Sequence, residues 1–210
     1  MISHLRREYT QAGLSEQDLQ PGPQEQFRRW IQDAIDGELT EPNAAVLATV
    51  DEQGQPSTRV VLVKGVDERG FSFFTNYESR KGRELAANPR AALTFPWVEM
   101  ERQVCITGRV TQLPREESDA YFRTRPRGSR LGAWASKQSE VIADRTILEQ
   151  RLADLDREYP GNDIPMPPTW GGYVLAPDAV EFWQGRHSRL HDRLVYTRQA
   201  GSWKVHRLSP

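Results

Sequence analysis

Short apolar stretches alternate with tight polar turns along much of the chain. The stretches 44–50, 57–64 and 71–75 are rich in Val, Phe and Thr, and the turns at 51–54 and 67–70 contain Asp, Glu and Gly. Turns this short predict antiparallel hairpins, because a parallel pair needs a longer, usually helical, crossover. The pattern therefore favours a mostly antiparallel, mainly β fold with flanking helices, in the α+β class.

The same alternation predicts further strands in the second half of the chain. They fall at 91–95, 104–113, 170–175, 179–183, 193–197 and 203–208, with a hairpin turn at 199–202. Gly108 is expected to form a bulge in the second of these strands. The proline-rich stretch 160–168 predicts an extended connector.

Helical periodicity interrupts the strands in four places. Apolar residues three and four positions apart form one stripe along 23–39, which predicts a structural helix. Ser79 is typical of a helix N-cap and predicts a helix that ends near Asn88. Two more helices are predicted at 114–122 and from about 140 to 159.

Residues 1–22 are polar and lead into the helix breaker Pro-Gly-Pro at 21–23. We predict a mobile N-terminal arm that folds over a site, with a disordered tail as an equal alternative. The remaining residues, 23–210, are predicted to form one domain, because a chain of this length can bury a core of its own.

Composition and charge argue against several classes of function. With 28 Lys and Arg against 29 Asp and Glu, the formal net charge is −1, which argues against a nucleic-acid binder and favours local sites for small anions. The single cysteine, Cys105, excludes an intrachain disulfide and predicts an inert buried thiol. The sequence has no apolar leader and no segment of membrane-spanning length, so we expect a cytoplasmic protein that makes no membrane contact.

The densest basic cluster lies in 180–193, which holds three Arg and two His. On a strand, Arg189, His191 and Arg193 would share one face and could bind an anionic ring, with a solvated charged edge strand as the alternative. On a helix, His187 and His191 would lie one turn apart as a metal pair, although no third ligand is near them in sequence.

Two further clusters predict phosphate sites. Arg80 and Lys81 fall in the first turn of a predicted helix, where cations oppose the helix dipole unless an anion is bound. Residues 121–130 hold four Arg together with a Tyr and a Ser. A solvated basic surface is the alternative for both clusters, and the sequence contains no glycine-rich nucleotide-binding motif.

Several motifs, taken in order, resemble those of one family, the pyridoxine (pyridoxamine) 5′-phosphate oxidases. The motifs are R-V-V-L-V-K at 59–64, F-T-N-Y-E-S-R-K at 74–81, E-R-Q-V at 101–104, Y-F-R-T-R-P-R-G-S at 121–129, G-A-W-A-S-K-Q-S at 132–139, W-G-G-Y at 170–173, E-F-W-Q-G at 181–185, R-L-H-D-R at 189–193 and W-K-V-H-R-L-S-P at 203–210. Each motif alone is weak, but the ordered set spans essentially the whole chain and is highly specific.

The resemblance implies an FMN-binding split β-barrel with the cofactor at a homodimer interface. It implies oxidation of pyridoxine or pyridoxamine 5′-phosphate by O2 to pyridoxal 5′-phosphate, with H2O2 as a product and ammonia from the amine. Such an enzyme serves vitamin B6 biosynthesis and salvage. The alternatives are a split-barrel flavin reductase with another acceptor, a non-catalytic carrier of pyridoxal phosphate and, with too few ligands, a zinc hydrolase.

The resemblance also implies roles for individual residues. The implied FMN contacts are Arg59, Val60, Val61, Leu62, Val63, Lys64, Phe74, Thr75, Arg80, Lys81, Gln103, Gln138, Ser139, Trp183 and Arg193. The implied substrate contacts are a lid of Arg6, Arg7, Glu8 and Tyr9, together with Lys64, Tyr121, Arg125, Ser129, Arg189, Leu190 and His191. Arg189 and His191 are the predicted catalytic residues, because they can position the substrate and handle protons. Phe74 stands where the family often has Tyr, so no hydroxyl contact is expected there.

Overall fold

A computed structural model gives the fold and describes residues 2, 4, 8–10 and 13–210. The helices are α1 (Pro23–Asp36), α2 (Arg80–Ala87), α3 (Arg115–Thr124), α4 (Arg127–Ala135) and α5 (Thr146–Glu158). The strands are β1 (Ala44–Val50), β2 (Pro56–Asp67), β3 (Gly70–Asn76), β4 (Arg90–Trp97), β5 (Arg102–Gln112), β6 (Trp170–Gln184), β7 (Asp192–Gln199) and β8 (Ser202–Arg207). Short 3-10 turns occur at Glu16–Asp18, Val98–Met100 and His187–Arg189.

Strands β1 to β6 form a closed antiparallel barrel. Their order is β3-β2-β1-β4-β5-β6, and the barrel closes because β3 also pairs with β6. Strands β7 and β8 continue the sheet outward from β6. The predicted mainly β fold with antiparallel strands and flanking helices is confirmed.

Strand β6 joins the barrel to the outer strands. Its first part, 170–175, pairs with β3, and its last part, 179–184, pairs with β7. Between them Pro177 faces Gly108 of β5 at a register shift, and a Cβ on Gly108 would lie only 2.1 Å from the Ala176 carbonyl oxygen. A bulge is present at this point, but the extra residue is Asp178 on β6, opposite Gly108, and not in β5 as predicted. The predicted break between two strands is wrong, because the bulge accommodates the proline within one strand.

Aromatic side chains fill the core between the barrel and α1. The ring of Phe27 is fully buried, and its centroid lies 5.0 Å from that of Phe71 and 4.7 Å from that of Phe95. Trp30 meets Phe182 edge-on, with 5.1 Å between the ring centroids. The apolar stripe predicted for this helix therefore packs into the core, where ring burial contributes strongly to stability.

Two helices differ from the sequence prediction. The helix predicted from about 140 begins only at Thr146, whose amide and hydroxyl both donate to the Asp144 carboxylate. Helix α4 was not predicted, because Gly128 and Gly132 weaken a helical signal. Tertiary packing stabilises it, since Leu131 is buried. Within the described part of the chain, no helix combines the length and apolar character needed to cross a membrane.

The segment between β6 and β7 forms a turn. Ser188 and Arg189 have positive φ angles of 56° and 64°, and β7 begins one residue after His191. The prediction that Arg189, His191 and Arg193 share one strand face is therefore wrong. The helical alternative for the two histidines is wrong as well, because this segment forms only a single 3-10 turn.

Part of the predicted N-terminal arm packs against the barrel end. The Thr10 amide donates to the Glu101 carboxylate at 2.8 Å, and the Leu14 amide donates to the Asp192 carboxylate at 3.0 Å. The Leu14 side chain is buried. The arm therefore has specific partners near the start of β7, while its mobility stays a prediction.

Candidate active site

Strands β2 and β3, the start of α2 and the segment after α4 enclose a cavity of about 450 Å³, called cavity A here. It is lined by Ser57, Thr58, Arg59, Val60, Val61, Leu62, Phe74, Thr75, Arg80, Lys81, Gln138 and Ser139. Three of these side chains are cations, and neither Asp nor Glu is among the described residues of the lining. Cavity A is therefore strongly electropositive and suited to an anion.

The N-cap of α2 brings two of these cations to the cavity. The Ser79 hydroxyl accepts from the Gly82 amide at 3.3 Å, which confirms the predicted cap. The helix then begins at Arg80, whose amide donates to the Ser139 hydroxyl at 3.1 Å. The first turn of α2 carries no acidic residue, so the helix dipole adds to the positive charge at cavity A.

Lys81 is a buried cation with neutral hydrogen-bond partners. Its Nζ donates to Thr75 Oγ1 at 3.0 Å and to Gln138 Oε1 at 3.1 Å. Burial, together with the nearby charge of Arg59, lowers the pKa of Lys81 to about 8, although the Glu84 charge acts in the opposite direction. An anion bound in cavity A would favour the charged form of this lysine.

A buried carboxylate ties the other two cations together. Glu84 Oε1 accepts from Arg80 Nε at 2.8 Å, and Oε2 accepts from Arg59 Nη2 at 3.2 Å and from the Ser57 hydroxyl at 2.7 Å. Burial raises the pKa of Glu84, but the hydrogen bonds from Ser57, Thr49, Arg80 and Arg59 outweigh it and hold the pKa at about 2. Glu84 is therefore ionised at neutral pH.

A larger cavity of about 630 Å³, called cavity B here, adjoins cavity A. It is lined by Leu62, Lys64, Phe74, Thr75, Asn76, Tyr121, Thr124, Arg125, Pro126, Ser129, Gly132, Ala133, Ser136, Gln138 and Trp170. The two linings share Leu62, Phe74, Thr75 and Gln138. Cavity B carries two cations, and its described lining contains no acidic residue.

Arg125 is the strongest candidate for anion binding in cavity B. Its guanidinium carbon lies 4.7 Å from the ring centroid of Trp170 and 5.5 Å from that of Phe122. The guanidinium has no hydrogen-bond or ion-pair partner in the described part of the chain, and its Nη1 is buried. Burial lowers the pKa of Arg125 below its ordinary value. A bound anion would compensate this half-buried, unpaired charge.

Near-parallel aromatic rings form one wall of cavity B, and Phe74 of this wall also lines cavity A. The ring centroids of Phe74 and Tyr121 are 3.9 Å apart with an interplanar angle of 18°. Trp170 lies 5.5 Å from Phe74 with an angle of 11°. The wall offers flat apolar surface next to the cations, as a charged aromatic ligand requires.

The remaining predicted contacts lie on the outer face of β5, β6 and β7. Gln103 pairs with Trp183 and Trp183 with Arg193, so the three residues form one row across the strands. Arg193 donates to both carboxylate oxygens of Glu181, at 2.7 and 3.0 Å. Cys105, predicted to be buried, is only half-buried on this face, and burial still raises the pKa of its thiol.

Tyr9 and His191 extend this row. The Tyr9 ring centroid lies 5.7 Å from that of Trp183 and 5.5 Å from that of His191, and the last two are 4.7 Å apart. His191 Nδ1 accepts from the Arg186 amide at 3.1 Å, which assigns the proton of the neutral ring to Nε2. Burial, followed by the charge of Arg189, lowers the pKa of His191. The neutral form therefore predominates at neutral pH.

Comparison with known proteins decides the family. Residues 31–157 match the family model described as pyridoxamine 5′-phosphate oxidase. Residues 170–210 match the model described as pyridoxine 5′-phosphate oxidase C-terminal dimerisation region. The chain belongs to the pyridoxamine 5′-phosphate oxidase family. The predicted resemblance is confirmed, and the chain is a member of a family of oxidoreductases.

Full-length relatives support this membership. The pyridoxine/pyridoxamine 5′-phosphate oxidases of Cupriavidus taiwanensis and Burkholderia mallei are 58% and 57% identical to the chain, and each alignment covers 100% of the chain and 99% of the relative. PhzG from Burkholderia lata, solved in complex with tetrahydrophenazine-1-carboxylic acid, is 34% identical with a TM-score of 0.87, over 92% of this chain and 95% of that one.

A more distant solved structure supports the fold alone. It is a pyridoxamine 5′-phosphate oxidase-related, FMN binding protein from Nostoc punctiforme, which is 20% identical with a TM-score of 0.72. The alignment covers 92% of this chain and 99% of that chain. The predicted split-barrel fold of this oxidase family is confirmed.

Most of the residues predicted to contact FMN line cavity A. Lys64 lines cavity B, together with three other predicted substrate contacts. Those substrate contacts are Tyr121, Arg125 and Ser129. Val63 lies outside both cavities, because its side chain is in the core and its backbone bonds to Asn43.

The predicted lid and catalytic residues form a separate group. Arg6 and Arg7 lie outside the described residues. His187 Nε2 is 3.7 Å from the Glu8 carboxylate, and the Leu190 side chain is exposed. Neither cavity A nor cavity B includes Arg189 or His191. Within one chain, the residues predicted to contact FMN and substrate are therefore divided between the two cavities and the outer face of β5 to β7.

Glu84 and Trp170 are among the residues at the site that sequence reasoning missed. Glu84 was not singled out, because its i, i+4 spacing from Arg80 is typical of an ordinary surface pair. Trp170 was taken as the start of a strand and as part of the W-G-G-Y motif, but it was given no contact. The following glycines were the available signal, since a Cβ on Gly172 would lie 2.7 Å from the Phe74 ring. Close packing of rings at this point requires a residue without a side chain.

Proposed function

We propose that the chain is an FMN-dependent oxidase that converts pyridoxamine 5′-phosphate and pyridoxine 5′-phosphate to pyridoxal 5′-phosphate. The amine, O2 and water give the aldehyde, ammonia and H2O2, whereas the alcohol and O2 give the aldehyde and H2O2. Bound FMN supplies the electron-accepting chemistry. The product belongs to vitamin B6 biosynthesis and salvage, and the cytoplasmic location stays a prediction.

One observation carries this proposal: two adjoining cavities hold five cations, and their described linings contain no carboxylate. FMN and the substrate each combine one phosphate with one aromatic ring system. Each cavity offers a cationic region for a phosphate, and the rings of Phe74, Tyr121 and Trp170 offer an apolar surface for the ring systems. A site for only one phosphorylated ligand would leave one of these cationic regions without a partner.

The residues of cavity A fit the FMN phosphate. Arg59 and Arg80 supply guanidinium donors, which bind phosphate through charge-assisted hydrogen bonds. Lys81 supplies a third cation, held by the neutral side chains of Thr75 and Gln138. The cavity thus has donors on several sides and needs no glycine-rich nucleotide-binding loop.

The residues of cavity B suit the substrate phosphate. Arg125 has an unpaired guanidinium, and Ser129 lies in the first turn of α4, which has no acidic residue. The dipole of this helix therefore adds to the attraction for an anion. Lys64 and Tyr121 complete the polar lining. These groups hold the substrate beside cavity A at reacting distance, which is the main task of the protein here.

We propose further that a homodimer completes the site, with the outer face of β5 to β7 from one copy covering the cavities of the other. The matched dimerisation region at 170–210 includes Trp183, Arg189 and His191, which supports this arrangement. Arg189 would then position the substrate from the second copy. His191, neutral and with its proton on Nε2, would donate from Nε2 to the substrate, because Nδ1 already accepts from the Arg186 amide.

A combined flavin and peroxide assay tests the activity. Purified protein should contain about one FMN per chain and should form H2O2 and pyridoxal 5′-phosphate in equal amounts from pyridoxamine 5′-phosphate. A colourless protein that only binds the vitamer would favour a carrier. A flavin-loaded protein that is inert to B6 phosphates would favour another split-barrel flavin reductase.

Mixed dimers test the shared site. In a dimer of one Arg125→Ala chain and one Arg189→Ala chain, one site carries both substitutions and the other carries neither, if each site uses both chains. At a substrate concentration near the wild-type KM, the mixed dimer should therefore regain about half of the wild-type rate, although each variant alone has little. If both residues acted within one chain, every site would carry one substitution and no activity would return.

A further inference from the structure

Glu84 lies behind the cationic wall of cavity A. Its side chain is only 4% exposed and does not line cavity A. It lines a separate surface depression on the other side of Arg80, next to Asp51 and Glu52. The carboxylate therefore contacts the arginines from the side opposite to the proposed phosphate.

Each carboxylate oxygen of Glu84 holds one arginine. Oε1 accepts from Arg80 Nε at 2.8 Å, and Oε2 accepts from Arg59 Nη2 at 3.2 Å. Arg59 comes from β2 and Arg80 from α2, so one side chain fixes the spacing of cations on two separate elements. The Arg80 side chain is 54% exposed, and in the described part of the chain Glu84 is its only hydrogen-bond partner.

Arg59 is held more firmly, by a closed set of hydrogen bonds. Its guanidinium donates to the hydroxyls of Thr49 and Ser57, and both hydroxyls lie within hydrogen-bond reach of Glu84 Oε2. Thr49 is fully buried. The orientation of this arginine is therefore set before any ligand binds, which reduces the entropy cost of binding a phosphate.

We infer that Glu84 is a positioning residue that holds Arg59 and Arg80 for the flavin phosphate, and so sets the preference for FMN over unphosphorylated flavin. The inference rests on the proposed function. Removing the carboxylate has two opposite effects on phosphate affinity. Loss of its negative charge strengthens attraction, whereas loss of its hydrogen bonds releases the guanidinium groups. The second effect should dominate, because charge-assisted hydrogen bonds depend on geometry.

The test compares FMN with riboflavin, which lacks the phosphate. Dissociation constants are measured by flavin fluorescence on purified full-length protein freed of flavin. Glu84→Gln keeps the shape but has one acceptor oxygen, so it can hold Arg59 or Arg80 but not both. FMN should bind about tenfold more weakly, equivalent to about 1.4 kcal/mol. The affinity for riboflavin should not change.

A second variant and a matched control accompany this measurement. Glu84→Asp keeps the charge but withdraws the carboxylate by one methylene, so its loss of FMN affinity should be intermediate. Glu117→Gln is the control, because Glu117 accepts from Arg69 at 2.8 and 3.0 Å and lines neither cavity. It should bind both flavins like the wild type. Thermal unfolding shows whether each variant is folded.

The outcomes separate the two proposals. If wild-type protein does not prefer FMN to riboflavin, the phosphate site and the proposed function fail together. If the wild type prefers FMN but Glu84→Gln binds it equally well or more tightly, only the positioning role fails. If Glu84→Gln binds FMN and riboflavin more weakly by the same factor, the positioning role is also overturned. A purely structural role of Glu84 would affect the binding of both flavins. Should Glu84→Gln not fold, an unchanged FMN preference in Glu84→Asp overturns the role.

Discussion

The buried Lys81 should make FMN affinity depend on pH. In the flavin-free chain, burial and the charge of Arg59 lower the pKa of Lys81 to about 8. The charged fraction then falls from about 0.9 at pH 7 to about 0.1 at pH 9. A phosphate in cavity A favours the charged lysine, so binding above pH 8 requires proton uptake. The dissociation constant for FMN should therefore rise about tenfold between pH 7 and pH 9.

Fluorescence titrations at pH 7, 8 and 9 measure this change, with riboflavin in parallel. Riboflavin has no phosphate, so its dissociation constant should stay constant over the same range. Calorimetry in buffers of different ionisation enthalpy counts the protons taken up with FMN. Lys81→Arg provides the matched control, because arginine stays charged throughout this range and should give a flat FMN profile.

A wild-type FMN affinity that is constant from pH 7 to 9 would refute this reasoning, as would an equally steep profile in Lys81→Arg.

The lowered pKa of Lys81 also affects the stability of the flavin-free protein. The pKa of this lysine falls from 10.5 in the unfolded chain to about 8 in the folded chain. Between pH 8 and 10.5, the folded chain therefore binds fewer protons at Lys81 than the unfolded chain does. The contribution of Lys81 to the free energy of unfolding should therefore rise with pH across that window.

Three further substitutions test other parts of the structure. Arg125→Ala should raise KM for pyridoxamine 5′-phosphate about 10- to 100-fold at normal FMN content, because it removes charged hydrogen bonds; an unchanged KM would contradict this. Gly185→Ala places a Cβ 2.8 Å from the Tyr9 ring, so the Thr10 amide should exchange its hydrogen faster, and unchanged protection would argue against the contact. Phe27→Ala should lower the free energy of unfolding by about 3–5 kcal/mol in urea titrations, and a loss below about 2 kcal/mol would be inconsistent with its burial.

The fold was largely predictable where local patterns determine it. Strands β1 to β3 follow from alternation between turns, and α1 from its apolar stripe, because each pattern matches the periodicity of its element. The continuity of β6 was not predictable, since Pro177 interrupts a strand unless a bulge accommodates it. That bulge depends on Gly108, whose partner is remote in sequence.

The candidate site was predictable in its residues but not in its arrangement. Arg80 and Lys81 were identified because two cations at a helix N-terminus require an anion. The neutral partner of Lys81, Gln138, lies 57 residues away, so no local pattern could connect the two. The turn at Arg189 was not predictable, because its positive φ angle is rare for a residue with a side chain.

The pairing of β3 with β6 has a consequence for biosynthesis. Asn76 at the end of β3 pairs with Trp170 at the start of β6. While the ribosome still holds the C-terminal part, β3 therefore has one edge with unpaired amide and carbonyl groups. Such an edge readily pairs with the strands of other nascent chains. A chain truncated before Trp170 should therefore aggregate during translation instead of forming a smaller barrel.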